Sequence, residues 1–236
     1  MTDDLSQFLA SRPVSAERPL LGLTVLLVED SRFASEAVRL LCLRSGARIR
    51  RADCLRSAHR HLATYRPGVV IIDMGLPDGS GADLIRRIKQ AGPGAPAVLG
   101  LSGDPGMEGE ALAAGADAFM PKPLESLAMF QQAVLAVLPE ADRPAGLRVV
   151  NDEMVSPDPL ALRDDLSHVA EVLAGAQDSD ALGYVAHFLT GIARSSHDDD
   201  LESAAKRLNG ANPPSSADLT RLSGLLQDRL AAASGF

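Results

Sequence analysis

Four short apolar runs, each ending on a polar side chain, constrain this chain more than any other feature. Val25-Leu-Leu-Val28 leads into Glu29 and Asp30, and Val69-Val-Ile-Ile72 leads into Asp73. Val98-Leu-Gly-Leu101 ends at Ser102, and Ala118-Phe-Met-Pro121 ends at Lys122. Runs without apolar/polar alternation read as strands buried on both faces, the habit of parallel sheets. In an open α/β sheet, ligands bind at the carboxyl ends of the strands. The pattern therefore delivers two or three carboxylates, a hydroxyl and an ammonium to one crevice.

Strands are expected over 23–28, 47–51, 68–72, 97–101 and 117–120. Helices are expected between and after them, over 32–45, 54–64, 81–91, 106–114 and 124–138. Such alternation implies an α/β fold with helices on both faces of a parallel sheet. Right-handed crossovers leave few topologies. The flavodoxin-like (βα)5 order 2-1-3-4-5 sets strands 1, 3 and 4 side by side, so that Asp30, Asp73 and Ser102 converge. Pro139, Pro144 and Gly146 then open a linker, and from 158 the chain reads as helical over 158–174, 179–195, 198–209 and 216–233. Short loops between apolar-striped helices imply an all-α, up-down four-helix bundle. The resulting division is a leader over 1–22, an α/β domain over 23–140, a linker over 141–157 and a helical domain over 158–236. In the leader, Leu5, Phe8 and Leu9 can form one short amphipathic turn before Pro13 and Pro19 break it, and a mobile tail is the simpler expectation.

Glu29, Asp30 and Asp73 are the oxygen donors that Mg²⁺ prefers. Asp73 can also act as a nucleophile on a phosphoryl group, giving an aspartyl-phosphate. Lys122 offers a cation and Ser102 a hydroxyl to the phosphoryl oxygens. The turn-rich loop after Asp73 exposes the backbone carbonyl of Gly75 as a further ligand. A competing reading of Asp30 is a helix cap. The set as a whole resembles the bacterial response-regulator receiver domain over about residues 23–140. The resemblance rests on Glu29-Asp30, Asp73 followed by Pro77 and Gly81, Ser102, and Lys122-Pro123, with spacings of 43, 29 and 20 residues between Asp30, Asp73, Ser102 and Lys122. It implies that Asp73 is the phosphoacceptor and that Glu29 and Asp30 hold Mg²⁺. It further implies that Ser102 and Lys122 touch the phosphoryl group, that Phe119 is the switch aromatic, and that a histidine kinase or histidine phosphotransfer protein is the donor. Gly103 departs from the pattern, since Ala is usual after Ser102, and is expected to loosen that loop.

On a helix over 179–195, at about 100° per residue, Leu182, Val185, Leu189, Ile192 and Ser196 share one face. His187 lies nearly opposite, toward solvent, with Gly183 and Gly191 a turn to either side and Thr190 and Arg194 nearby. Glycines inside a helix cost about 1 kcal/mol each relative to Ala, and here they clear space around the imidazole. The string Ala186-His-Phe-Leu-Thr-Gly-Ile-Ala193 resembles the histidine phosphotransfer domain, over about residues 158–233, with Leu201, Ala204 and Leu208 matching the next helix. The resemblance implies that His187 is a phosphohistidine, Gly191 its clearance residue, and a receiver domain its partner. Arg194 can pair with the phosphoryl group. Thr190 departs from the usual Lys, and His197 stands where a small residue is common. An adaptor that docks a partner under receiver control without carrying phosphate is the alternative. His59, His61 and His168 read as surface residues, and Asp198-Asp-Asp200 as the acidic start of a helix.

Charge and composition exclude other classes. Residues 23–140 carry thirteen basic and thirteen acidic side chains, whereas residues 141–236 carry eight and fifteen within a net charge of −8. An acidic second half argues against a DNA-binding output. At 96 residues it is also too short for a cyclase or phosphodiesterase and lacks their acidic metal clusters. With those classes set aside, the receiver resemblance implies a signalling protein that catalyses only its own phosphorylation and dephosphorylation. No run of about 18 apolar residues suggests a membrane span, and the start lacks a secretory signal. Cys42 and Cys54 have no metal-ligand spacing and read as reduced thiols of a cytoplasmic protein.

Overall fold

The structure, a computed structural model, describes residues 17–143, 150–175, 179–210 and 215–232. Strands β1 (Thr24–Val28), β2 (Arg48–Ala52), β3 (Val69–Asp73), β6 (Ala97–Ser102) and β7 (Ala118–Pro121) form one parallel sheet in the order β2-β1-β3-β6-β7. This is the flavodoxin-like order expected from the alternation. A small antiparallel hairpin, β4 (Gly75–Leu76) with β5 (Gly79–Ser80), was not anticipated and occupies the loop after Asp73.

The unbroken apolar runs have a direct cause. Successive side chains point to opposite faces, and both faces are covered. Val25, Leu27, Ile71 and Leu99 pack against Val38 and Leu41 of α1 (Arg32–Ser45) and Phe130 and Val134 of α5 (Leu127–Val137). Leu26, Val28, Val70 and Ile72 pack on the other side against Ala58 of α2 (Leu55–Thr64), Leu84 and Ile85 of α3 (Gly81–Lys89), and Ala111 of α4 (Glu108–Ala113). β2 reads Arg-Ile-Arg-Arg-Ala because it is an edge strand, where charge discourages pairing with other chains.

Two flanking segments belong to this unit. Leu20 is buried in the α1/α5 core, and its N–H donates to Ser45 O at 2.9 Å. The last residues of the expected leader are therefore packed, while Leu5, Phe8 and Leu9 lie outside the described residues. In the expected linker, Val155 is buried in the same core and donates to Glu125 O at 2.9 Å, and Leu127 N donates to Glu153 O at 3.0 Å. Leu20 and Val155 lie in apolar pairs, with Leu21 and with Met154, close to prolines, too short for any periodicity to announce them.

Helices α6 (Pro159–Gly175), α7 (Ser179–Ser195), α8 (Asp199–Gly210) and α9 (Ser216–Ala232) share a third apolar cluster. Val185, Leu189 and Ile192 are buried in it as expected, but so are Ala186, Phe188 and Ala193, a wider band than the stripe predicted. Pro213 and Pro214 of the last interhelical break lie outside the described residues. Asp198 caps α8: its Oδ1 accepts from Leu201 N at 3.1 Å, and Arg229 Nε of α9 donates to its Oδ2 at 2.6 Å. That guanidinium holds the Asp198 carboxyl below its usual range. The pair stabilises the fold above the ordinary aspartate range, and the contribution fades as pH falls through the lowered value. Because Arg229 is 38% exposed, solvent screening keeps the effect small. Arg229→Ala is expected to cost no more than about 1 kcal/mol in denaturant unfolding at neutral pH, and less in strong acid.

Candidate functional site

The carboxyl ends of β1, β3, β6 and β7 bring Glu29, Asp30, Asp73, Ser102 and Lys122 together, as the strand pattern requires. After β1 the chain turns sharply. Ser31 N donates to Glu29 Oε1 at 3.1 Å and to Asp30 Oδ1 at 3.0 Å. Arg51 of β2 grips the backbone carbonyls of Glu29 and Asp30 at 3.3 and 2.8 Å. The cap of α1 is Ser31, whose side chain accepts from Ala34 N at 3.0 Å, so Asp30 is not the cap. Asp73 Oδ1 accepts from Gly75 N at 3.4 Å. A Cβ at Gly81 would collide with Asp73 O, which explains glycine where α3 begins. Ser102 is fully buried, and its Oγ accepts from Asp104 N at 3.0 Å.

Lys122 is the electrostatic centre. Its Nζ lies 3.1 Å from Asp73 Oδ2 and 2.7 Å from Glu29 Oε2. The contact to Glu29 Oε2 is a charge contact with poor hydrogen-bond direction, so that buried oxygen keeps a lone pair unused. Burial works against the ammonium, but Asp73 and Glu29 outweigh it and hold its pKa above the usual lysine range. Burial raises the Glu29 carboxyl well above its ordinary value despite Lys122, with Asp73 and Asp30 adding repulsion. Burial, then Asp73, pushes Asp30 up to about 7. Glu29, Asp30 and Asp73 offer ligand oxygens that all lie within 4.8 Å of one another. Crowded, desolvated carboxylates and an unused buried lone pair fit a divalent cation with oxygen ligands.

The helical region covers this crevice. His187 and Gly191 were expected to face solvent; they face the α/β unit instead. Polar residues on the outer side of α7 are there because they meet other polar groups. The His187 ring rests on Gly75, where an added Cβ would collide with Cδ2 and Nε2. A Cβ at Gly103 would lie 3.1 Å from Gly191 Cα, and one at Gly191 would lie 3.8 Å from Lys122 Nζ. Gly103, expected to loosen its loop, thus provides clearance for α7. Tyr184 donates its hydroxyl to Asp30 Oδ2 at 2.7 Å. Burial, then Asp30, raises the tyrosine pKa above its usual range. Asp165 of α6, itself buried, accepts from Ser31 Oγ at 2.7 Å and from Arg32 N and Phe33 N at 2.9 Å each. Its carboxylate thereby sits on the N-terminus of α1, where negative charge is favoured. His197 Nε2 lies 2.8 Å from Glu125 Oε1 in a further contact between the units.

The remaining candidates separate. His187, Thr190 and Arg194 line one cavity of about 110 Å³ with Gly103, Asp104 and Lys206. Thr190 Oγ1 donates to Ala186 O at 2.7 Å, and Arg194 Nε donates to Glu202 Oε1 at 2.6 Å. Gly183 is not part of the face: an added Cβ there meets nothing within 4 Å, and Tyr184 takes its place toward the site. Phe119 is half-buried, 3.2 Å from where a Gly100 Cβ would be. Sequence reasoning missed Tyr184, Asp165 and Lys206. Tyr184 had a usable signal, since i and i+3 share a helix face with His187. Asp165, an acid beside the apolar Leu166 and Val169, gave none specific enough.

Residues 25–134 match the family described as the response regulator receiver domain. The KDP operon transcriptional regulatory protein KdpE of Escherichia coli (strain K12) is 34% identical over 99 residues, covering 42% of this chain and 44% of that protein. The virulence transcriptional regulatory protein PhoP of Salmonella typhimurium (strain 14028s / SGSC 2262) is 35% identical over 101 residues, 42% of this chain and 45% of that protein. A response regulator structure from Thermotoga maritima aligns with TM-score 0.45 and 27% identity, covering 50% of this chain and 98% of that one. The chain spans less than half the length of these two curated relatives.

Proposed function

We propose, from the premise that residues 25–134 are a response regulator receiver domain of a two-component system, that Asp73 accepts a phosphoryl group and that the helical region is a four-helix phosphotransfer-like bundle which relays it through His187. The donor is the phosphohistidine of a histidine kinase or histidine phosphotransfer protein. The phosphoacceptor step is supported by the position of Lys122, held at 3.1 Å from Asp73 and 2.7 Å from Glu29 in a buried crevice.

The chemistry follows from the chain's own groups. The Asp73 carboxylate is the nucleophile. Lys122 and the Ser102 hydroxyl meet the phosphoryl oxygens, where fixed donors in a dry site act strongly. Mg²⁺, held by Glu29, Asp30 and Asp73 with the Gly75 carbonyl, would offset charge on the same oxygens. Phe119, half-buried beside Gly100 of β6, is the residue this reading assigns as the switch aromatic. The protein is then a signalling component rather than a turnover enzyme. Two relatives are named as transcriptional regulatory proteins, but the matches leave more than half of each uncovered. The acidic helical half supports an output without DNA. Among the described residues no helix is long and apolar enough to cross a membrane. We place the protein in the cytoplasm, where the free thiols of Cys42 and Cys54 stay reduced.

A second reading, a docking adaptor that carries no phosphate, is favoured by the Thr190 hydroxyl, which is committed to Ala186 O. The test of the first step is direct. Incubated with acetyl phosphate and Mg²⁺, the full chain should gain a phosphoryl group on the peptide containing Asp73, and Asp73→Asn should abolish it. Undiminished labelling of Asp73→Asn would sink the assignment.

A further inference from the structure

The helical region covers the crevice that holds Asp73, with Tyr184 on Asp30 and His187 on Gly75. His187 Nε2 and Cδ2 are the ring atoms nearest Gly75, and Gly75 N lies 3.4 Å from Asp73 Oδ1. The imidazole therefore rests on the residue whose N–H faces the Asp73 carboxylate, two positions after it in the chain. Three glycines lie where α7 meets the α/β unit. Gly75 and Gly103 lie on the receiver, Gly191 lies on α7, and side chains at the first two would obstruct this approach. Tyr184 on Asp30 and Asp165 on the start of α1 fix the helical region in register over the crevice.

We propose that His187 takes the phosphoryl group from Asp73 within the same chain, an inference that rests on the relay reading above and names the receiver's partner as its own helical region. In the step, the Nε2 lone pair of the neutral imidazole, with its proton on Nδ1, forms a P–N bond. The P–O bond to Asp73 breaks, and its electron pair returns to the carboxylate. No proton and no further reactant are needed, and the reverse step returns the group to Asp73.

The receiving side is built. The cavity of about 110 Å³ beside His187 is lined by Arg194 and Lys206. Glu202 Oε1 holds both cations, with Arg194 Nε at 2.6 Å and Lys206 Nζ at 2.7 Å. Lys206, reaching in from α8, supplies the charge that Thr190 lacks. Cationic donors around a phosphoryl group make short, strong hydrogen bonds.

The experiment uses the full chain with acetyl phosphate and Mg²⁺ and separates acid-labile phosphohistidine from base-labile phosphoaspartate. Phosphohistidine at His187 should form at a rate unchanged over about a hundredfold dilution, because tethering sets the effective concentration. A mixture of Asp73→Asn and His187→Ala chains should form at least about tenfold less, since transfer there must occur between molecules. Lys206→Ala should lower the phosphohistidine yield and Lys206→Arg should restore it. A rate proportional to concentration, or full yield in the mixture, would overturn the in-chain step and leave the relay reading standing. Phosphoaspartate with no phosphohistidine at any concentration would overturn both. Wild-type yield from Lys206→Ala would remove the phosphoryl group from this cavity.

Discussion

Lys122→Ala is expected to lower the stability of the α/β unit by about 3–5 kcal/mol when no divalent cation is supplied. The reason is the imbalance left behind. Lys122 is only 8% exposed and lies between Glu29 and Asp73. Removing it leaves carboxylates crowded in a desolvated crevice, and uncompensated buried charge is far costlier than the pair was favourable. Burial has already raised Glu29 well above its ordinary value, so protonation there recovers part of the loss. That relief places the effect at the lower end of the range. Mg²⁺ restores positive charge to the same oxygens, so the gap between variant and wild type should narrow when it is present. Urea unfolding in chelator and in Mg²⁺ measures both quantities. A loss below about 1 kcal/mol in chelator, the size of an exposed pair, would show that these carboxylates do not depend on Lys122 for their charge.

The sheet and its active edge were legible because two constraints act on the same residues. Burial on both faces of β1, β3 and β6 demands unbroken apolar runs, and the run stops where the strand reaches the crevice. Glu29, Asp30, Asp73, Ser102 and Lys122 are therefore marked by position as well as by type. β2 shows how far alternation alone carries: its Arg-Ile-Arg-Arg-Ala is not apolar, yet its place between α1 and α2 locates it.

What the sequence hid is the contact between the two halves. Helical periodicity identifies the apolar side of α7 but is silent on what meets the polar side. His187, Thr190, Gly191 and Arg194 look solvent-facing for the same reason that they suit an interface of hydrogen bonds and charges. Gly103 looked like a loosened loop because its clearance is needed only against Gly191, 88 positions later. Asp165 carries no signal of its own in the sequence, yet it accepts three hydrogen bonds from the start of α1. Long-range polar pairs of this kind leave no local pattern.

Tyr184→Phe is expected to raise the affinity for Mg²⁺ by about tenfold, the low end of what a hydrogen bond to a charged group is worth. The hydroxyl donates to Asp30 Oδ2 at 2.7 Å, and Asp30 is one of the three carboxylates placed to hold the ion. A cation therefore competes with the tyrosine for this group. The phenylalanine ring keeps the packing against Phe188, whose centroid lies 5.6 Å away, so the change is confined to the oxygen. Protons set the pH dependence. Burial and then Asp73 push Asp30 up to about 7, while the Tyr184 hydrogen bond pulls it down. Losing that bond raises Asp30 further, and protonation then opposes the ion as pH falls. The gain should be largest above neutrality and shrink toward pH 6, about one unit below the Asp30 value in the wild type. Calorimetric titration of Mg²⁺ at two pH values reads both the size and the trend. Weaker binding by the variant above neutrality would show instead that Tyr184 orients Asp30 for the ion, and the helical region would then assist the metal site rather than compete with it.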